Sequence, residues 1–451
     1  MKKIFSLTLA LLLLLTAVLP AAAEETTLEN TEQPLVTLSQ AEAEHVVEYP
    51  YVCDKLSWKK IREFPVASYA MSPQELRQLC LDFFLFSKTF AWTPSEQFSY
   101  VRNQKGTVDT LKLGTVYGGL PYVRNGSGNV YRVMDYYDPE TGILDVAAAG
   151  EEPKLFGSQC SIGIYWAWGR VVNSARFGWT YDMVQSRGFL RVGPYTYDDS
   201  ITRFGTGLTT AQICEDNGKQ TMMESYATMQ IADGLVYSHD GGHVLMCATE
   251  PVVERYWNGE INPRRSYIYF VDQAQSWATR PQSNGDPFIL KHNIDTKITF
   301  DELYNNHYIP FTFAELLGED MVEDLSFDFS HTGSAIAVQE LAEGYLSSNY
   351  GISDIYISLW NSDDELICSG VKRMERGGIL RTGLGAAIER KDWLPYAREG
   401  HTVEVVAQFS NGERLTVYSG TLRGWNNSIS EKLVPLPEAV LQAQRYPAML
   451  R

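Results

Sequence analysis

From Cys160 to Val172 the chain offers almost no polar face: Cys160-Ser161-Ile162-Gly163-Ile164-Tyr165-Trp166-Ala167-Trp168 leads through Gly169 and Arg170 into Val171-Val172. A helix that is apolar nearly all round must be covered on every side. Read as a helix from Cys160 to about Arg176, this stretch requires a large core built around it. Apolar strands follow it at Leu235-Val236-Tyr237, His243 to Ala248 and Ser266 to Val271. A buried helix followed by antiparallel strands is an α+β arrangement. Upstream, Ser72-Pro73-Gln74-Glu75 starts an amphipathic helix, with Ser as N-cap, Pro at the first helical position and Leu76, Leu79, Cys80, Phe83 and Phe84 at helical spacing as far as Lys88. Residues 106–157, dense in Gly and Tyr, read as ordered loop and turn, and the run from Leu208 to Met229 has room for one or two helices.

The pattern changes from about Glu323 to Trp425 into alternating apolar segments such as Asp354 to Trp360 and Thr402 to Phe409. Asn411-Gly412, between Phe409 and Leu415-Thr416-Val417, marks a hairpin turn. These features predict a β-sandwich accessory domain. The expected organisation is a signal peptide over 1–23, a leader or linker over 24–70, a helix-plus-sheet domain over 71–322, the β-sandwich over 323–435 and a tail over 436–451. Lys2 and Lys3 precede an apolar run from Ile4 to Leu19 that ends in Ala21-Ala22-Ala23, the pattern of a secretory signal. Secretion, outside the cell or at the cell wall, is therefore expected. No membrane anchor is expected after cleavage, because the first cysteine is Cys53 and no later apolar run is long enough to span.

A formal net charge of −17 argues against nucleic-acid binding. The six cysteines contain no Cys-x-x-Cys pair, so neither a metal site nor a cofactor is expected; two disulfides remain open. Cys160 heads the apolar helix, where the macrodipole favours its thiolate. His243, at the head of a strand in Gly241-Gly242-His243-Val244, is placed to take the proton. His239, four residues earlier in a turn, and His307 are weaker choices. An imidazole in this role needs a polar partner at its second nitrogen. The strand Tyr267 to Val271 delivers either Asp272 or Gln273, and because side chains alternate only one of the two can face His243. Backbone N–H groups around Gln159, Cys160 and Ser161, with the Tyr117 hydroxyl, are candidate donors to an oxyanion.

Cys160-Ser161 at the head of an aromatic helix, Tyr117-Gly118-Gly119 upstream, Asp233-Gly234-Leu235-Val236 and then Gly242-His243-Val244 resemble the NlpC-type papain-like cysteine peptidases of bacterial cell walls. The likeness spans residues 110 to 280. It departs from the family where Gln159 and Ile162 flank Cys160-Ser161 in place of Asp and Gly. The resemblance implies a papain-like domain, peptidoglycan stem peptides as substrate and a third active-site residue on the strand after His243. From the residues alone the expectation is a metal-independent thiol hydrolase acting on an amide or thioester, losing activity as the imidazole is protonated at acid pH. Two rivals share these features: a non-catalytic wall-binding or scaffold protein whose sandwich holds a wall component or protein, and a transglutaminase-like acyl transferase.

Overall fold

The computed structural model describes residues 58–423, with short internal segments excepted. The signal peptide, most of the leader and the tail lie outside the described residues. What the sequence assigns to the end of the leader is part of the fold, since Ile61, Phe64 and Ala67 pack into the same core as the central helix.

Helix α1 (Pro73–Thr89) begins as its sequence dictates: the Ser72 side chain accepts from the Glu75 N–H, and the Glu75 carboxylate accepts from the Ser72 N–H at 2.7 Å. Such a box contributes on the order of 1 kcal/mol. Burial goes further round α1 than amphipathic spacing implies, and takes in Arg77 and Lys88. Helix α2 (Val130–Val133) is one turn capped by Asn129. Helix α3 (Cys160–Trp168) is buried at every residue. It ends at Trp168 instead of reaching Arg176, because Gly169 closes it and the Arg170 guanidinium turns to the Tyr131 hydroxyl and the Phe64 and Pro65 carbonyls. Helix α4 (Thr210–Ala227) is two helical pieces joined at Gly218, whose φ of 75° breaks the run.

Against α3 lies an antiparallel six-stranded sheet. Its strands are β1 (Phe189–Arg191), β2 (Gly234–Tyr237), β3 (His243–Cys247), β4 (Tyr267–Val271), β5 (Thr296–Thr299) and β6 (Ile309–Phe313), in the spatial order β5-β4-β3-β2-β6-β1. Gly234 has no side chain because Phe311 and Trp168 occupy the place where a Cβ would stand. Asp233, just before β2, is paired with Arg77 of α1 at 2.6 Å in the interior. That contact fixes α1, and Lys88 at its far end, against the sheet. Residues 106–157 are less loop-like than their composition implies. They hold α2 and the short strands Val108–Leu111, Tyr117–Gly118, Tyr137–Asp138 and Ile143–Leu144, each too short for a period to show in sequence.

The C-terminal part is a seven-stranded sheet with its own core. It comprises β7 (Phe327–Phe329), β8 (Ala335–Ile336), β9 (Tyr345–Trp360), β10 (Leu366–Arg373), β11 (Ile379–Gly383), β12 (Thr402–Phe409) and β13 (Arg414–Leu422). The long strand β9 pairs with β7, β10, β11 and β12, so all seven strands form one hydrogen-bonded sheet. The molecule is thus a mixture of helices and several sheets. In the β12–β13 hairpin, Gly412 has φ 99°, and a Cβ there would collide with Arg170 and the Tyr131 hydroxyl. The turn therefore seats on the helical part of the molecule.

Candidate active site

Cys160 is the first residue of α3, and the chain entering it is pinned. Ser158 donates to the Pro121 carbonyl at 2.9 Å and accepts from the Val123 N–H at 3.2 Å, and the Gly163 N–H closes the first turn on the Gln159 carbonyl at 2.9 Å. Gln159 is an extended N-cap whose side chain makes no capping bond. The first N–H groups of a helix have no acceptor within it, so this end presents positive dipole and donors around the sulfur. Cys160 is 8 % exposed.

His243 opens β3 directly after Gly242, which has φ 70° and stands where a Cβ would strike the Thr180 hydroxyl. Only glycine fits such a corner without strain, and the corner directs the imidazole to the edge of the sheet. Strand β4 pairs with β3 through Val271↔Met246 and Phe270↔Cys247, so the next residue, Asp272, arrives beside His243. Its carboxylate meets His243 Nε2 at 2.7 Å. The Cys160 thiol is close enough to act on the titration of the ring. Burial opposes protonation of the ring, but the hydrogen bonds to Asp272 and Cys160 and their negative charge outweigh it and push the His243 pKa up to about 10.

Gln273, one residue on, points away from His243. Its side-chain N–H groups are shared among the carbonyls of Leu120 at 3.1 Å, Pro121 at 3.3 Å and Ser158 at 3.3 Å, and its oxygen accepts from Lys88. Alternation along the strand separates the two candidates: Asp272 meets the imidazole, whereas Gln273 braces the chain that delivers Cys160. The Tyr117 ring stacks on Trp92 at 5.3 Å, and its hydroxyl accepts from the Lys112 N–H at 2.9 Å. Ser161 is buried in the first turn of α3. His239 lies outside the described residues. His307 sits in a turn with φ 58°, its N–H bound to the Tyr304 carbonyl.

Beside the imidazole is a cavity of about 360 Å³ lined by Tyr237, His243, Leu245, Phe270, Asp272, Ile298, Asn306 and Tyr308. Tyr237 and Tyr308 meet edge to face at 5.0 Å and wall it on one side. Neither ring, nor Asn306, is distinguishable in sequence from core or turn. Lys88 also escapes sequence reading, because a lysine in the last turn of a helix ordinarily favours the dipole and faces water. Desolvation lowers its pKa to about 7 against the opposing charges of Asp272 and Cys160. The two titrations pull stability in opposite directions. His243, raised in the folded state, contributes stability that is full below about 6.5 and is lost as pH rises through about 10. Lys88, lowered from 10.5 to about 7, binds more protons unfolded than folded across that window, so its contribution rises with pH.

All five described cysteines are thiols, not half-cystines. Burial raises the pKa of Cys80 and Cys247 and pushes Cys214 up to about 12. Brief exposure of the native protein to iodoacetamide at neutral pH is therefore expected to label Cys160 and leave Cys80, Cys214 and Cys247 unmodified. Peptide mapping reads the result, and uniform labelling of the four would contradict it. No family model, curated protein or solved structure matches the chain.

Proposed function

We propose that the protein is a secreted thiol hydrolase of papain-like architecture that cleaves amide bonds in peptidoglycan stem peptides, with a C-terminal β-sheet domain that holds a wall component or partner protein. The observation that carries this reading is the chain of contacts from the Cys160 thiol to His243 and from His243 Nε2 to Asp272 at 2.7 Å, with the thiol at a helix N-terminus. In the reaction, Cys160 Sγ attacks the amide carbonyl, a C–S bond forms, and the oxyanion is met by N–H groups at the head of α3. His243 gives its proton to the leaving nitrogen as the C–N bond breaks. Water then attacks the thioester with His243 as base, releasing the acid and restoring the thiol.

Hydrogen bonding and charge from its partners outweigh burial and raise the His243 pKa to about 10, so the imidazolium that protonates the leaving nitrogen persists through neutral pH. The alkaline limb reports loss of the imidazolium, with a midpoint near 10. Because the described lining of the cavity beside His243 is aromatic and aliphatic with His243, Asn306 and the Asp272 carboxylate, and no lysine or arginine among the described residues, it suits a leaving residue with an uncharged side chain and disfavours one with a free carboxylate.

The test is mass-spectrometric release of peptides from purified peptidoglycan by the mature protein, beside Cys160→Ala. The expected result is release by the wild type alone, sustained to about pH 9 and falling near pH 10. Release by neither protein would overturn the reading in favour of a non-catalytic wall-binding frame, and equal release by both would remove Cys160 from the mechanism.

A further inference from the structure

Against the helix headed by Cys160 lies a buried lysine that the reaction above does not use. Lys88, in the last turn of α1, is 2 % exposed. Its Nζ donates to Gln273 Oε1 and lies 4.3 Å from the centre of the Phe84 ring. The space it occupies is made by a missing side chain. A Cβ on Gly163, one turn into the nucleophile helix, would stand 3.1 Å from Lys88 Nζ and 3.2 Å from Gln273 Cβ. The slot around Nζ is nearly closed, with about 10 Å³ of free space, and Ser158, Asn129 and Trp166 are among its walls. Trp166 Nε1 and Asn129 Nδ2 are both buried without an acceptor. As donors they cannot take Lys88's protons. Its hydrogen-bond acceptor is Gln273, and the charges of Asp272 and Cys160 act on it.

We propose that Lys88 is a positioning residue of the thiol site: through Gln273 it holds Ser158 and the entry to α3 in place. The inference rests on the thiol-site reading, and three observations lead to it. Lysine is among the side chains least often fully buried without a charged partner. Here the interior has been opened for it by a glycine on the nucleophile's own helix. Its one hydrogen-bond acceptor, Gln273, in turn holds the Leu120, Pro121 and Ser158 carbonyls that flank Cys160.

The experiment is the rate of iodoacetamide alkylation at Cys160 against pH, in the full mature chain, for wild type and Lys88→Met, with thermal unfolding of each. The expected result is a folded Lys88→Met whose Cys160 reacts about tenfold more slowly at pH 7, because the entry to α3 is no longer held. Should Lys88→Met fail to fold, Gly163→Ala keeps every polar group and presses on Nζ, and the same slowing is expected. An unchanged profile in a folded variant would overturn the role of Lys88 and leave the thiol site standing. Slow alkylation already in the wild type would overturn the thiol-site reading and this inference with it.

Discussion

In His243→Ala, turnover on peptidoglycan is expected to fall by about 10³-fold or more, and Cys160→Ala/His243→Ala is expected to fall no further than Cys160→Ala alone. The reason is geometric. Cys160 heads one element and His243 another, and each serves the reaction only through the other, so what they do together vanishes when either goes. Without the imidazole the thiol has no proton acceptor and the leaving nitrogen no donor. Without the thiol the imidazolium has no nucleophile to serve. Groups that act as one unit give losses that do not add. Kinetics of the three variants on one substrate decide the matter: losses that multiply would mean that His243 acts independently of Cys160, for example on substrate binding, and the pair would not be the catalytic unit.

The central helix and the strand of His243 are legible in sequence for the same reason: both are apolar enough to have no alternative to burial, and each begins at a polar residue. Choosing between Asp272 and Gln273 lies beyond sequence, because alternation says that they part company but not which faces the imidazole; that parity is set by the β3–β4 register, a tertiary fact. Lys88 is illegible in a different way. Its helix has apolar groups on several sides, Leu81, Leu85 and Phe86 as well as Phe83 and Phe84, and only the position of Gly163 on another element reveals that a lysine can be accommodated there. Tyr117 shows the converse. Its place just ahead of two glycines looks like chemistry, and the structure adds that its hydroxyl accepts from the Lys112 N–H and its ring stacks on Trp92. The strands in 106–157 run two to four residues, below the length at which alternation can be told from loop.

Arg132→Met is expected to destabilise the protein by about 3–5 kcal/mol, the usual consequence of leaving a buried carboxylate without its cation. Arg132 on α2 and Asp354 on β9 are both fully buried, with Nε at 2.8 and 3.2 Å from the two carboxylate oxygens. The same guanidinium donates to the Ser127, Ser353 and Met374 carbonyls at 2.9, 2.9 and 2.7 Å. Asp354 retains Ser353 Oγ at 2.7 Å and Arg373 at 3.4 Å, which softens the loss without replacing a bidentate cation. Arg132→Met/Asp354→Leu, which removes both charges, is expected to recover much of it, since an apolar pair of similar volume often matches a buried ion pair. Ser127 in turn bridges Ser158, two residues before Cys160. The C-terminal sheet therefore braces the chain that delivers the nucleophile, through Asp354, Arg132, Ser127 and Ser158. Denaturant unfolding followed by tryptophan fluorescence and by circular dichroism measures both effects. The single variant should unfold at lower denaturant, with the two probes separating as the sheet and the helical part lose their coupling. Coincident curves at the wild-type midpoint would show that this ion pair holds nothing together.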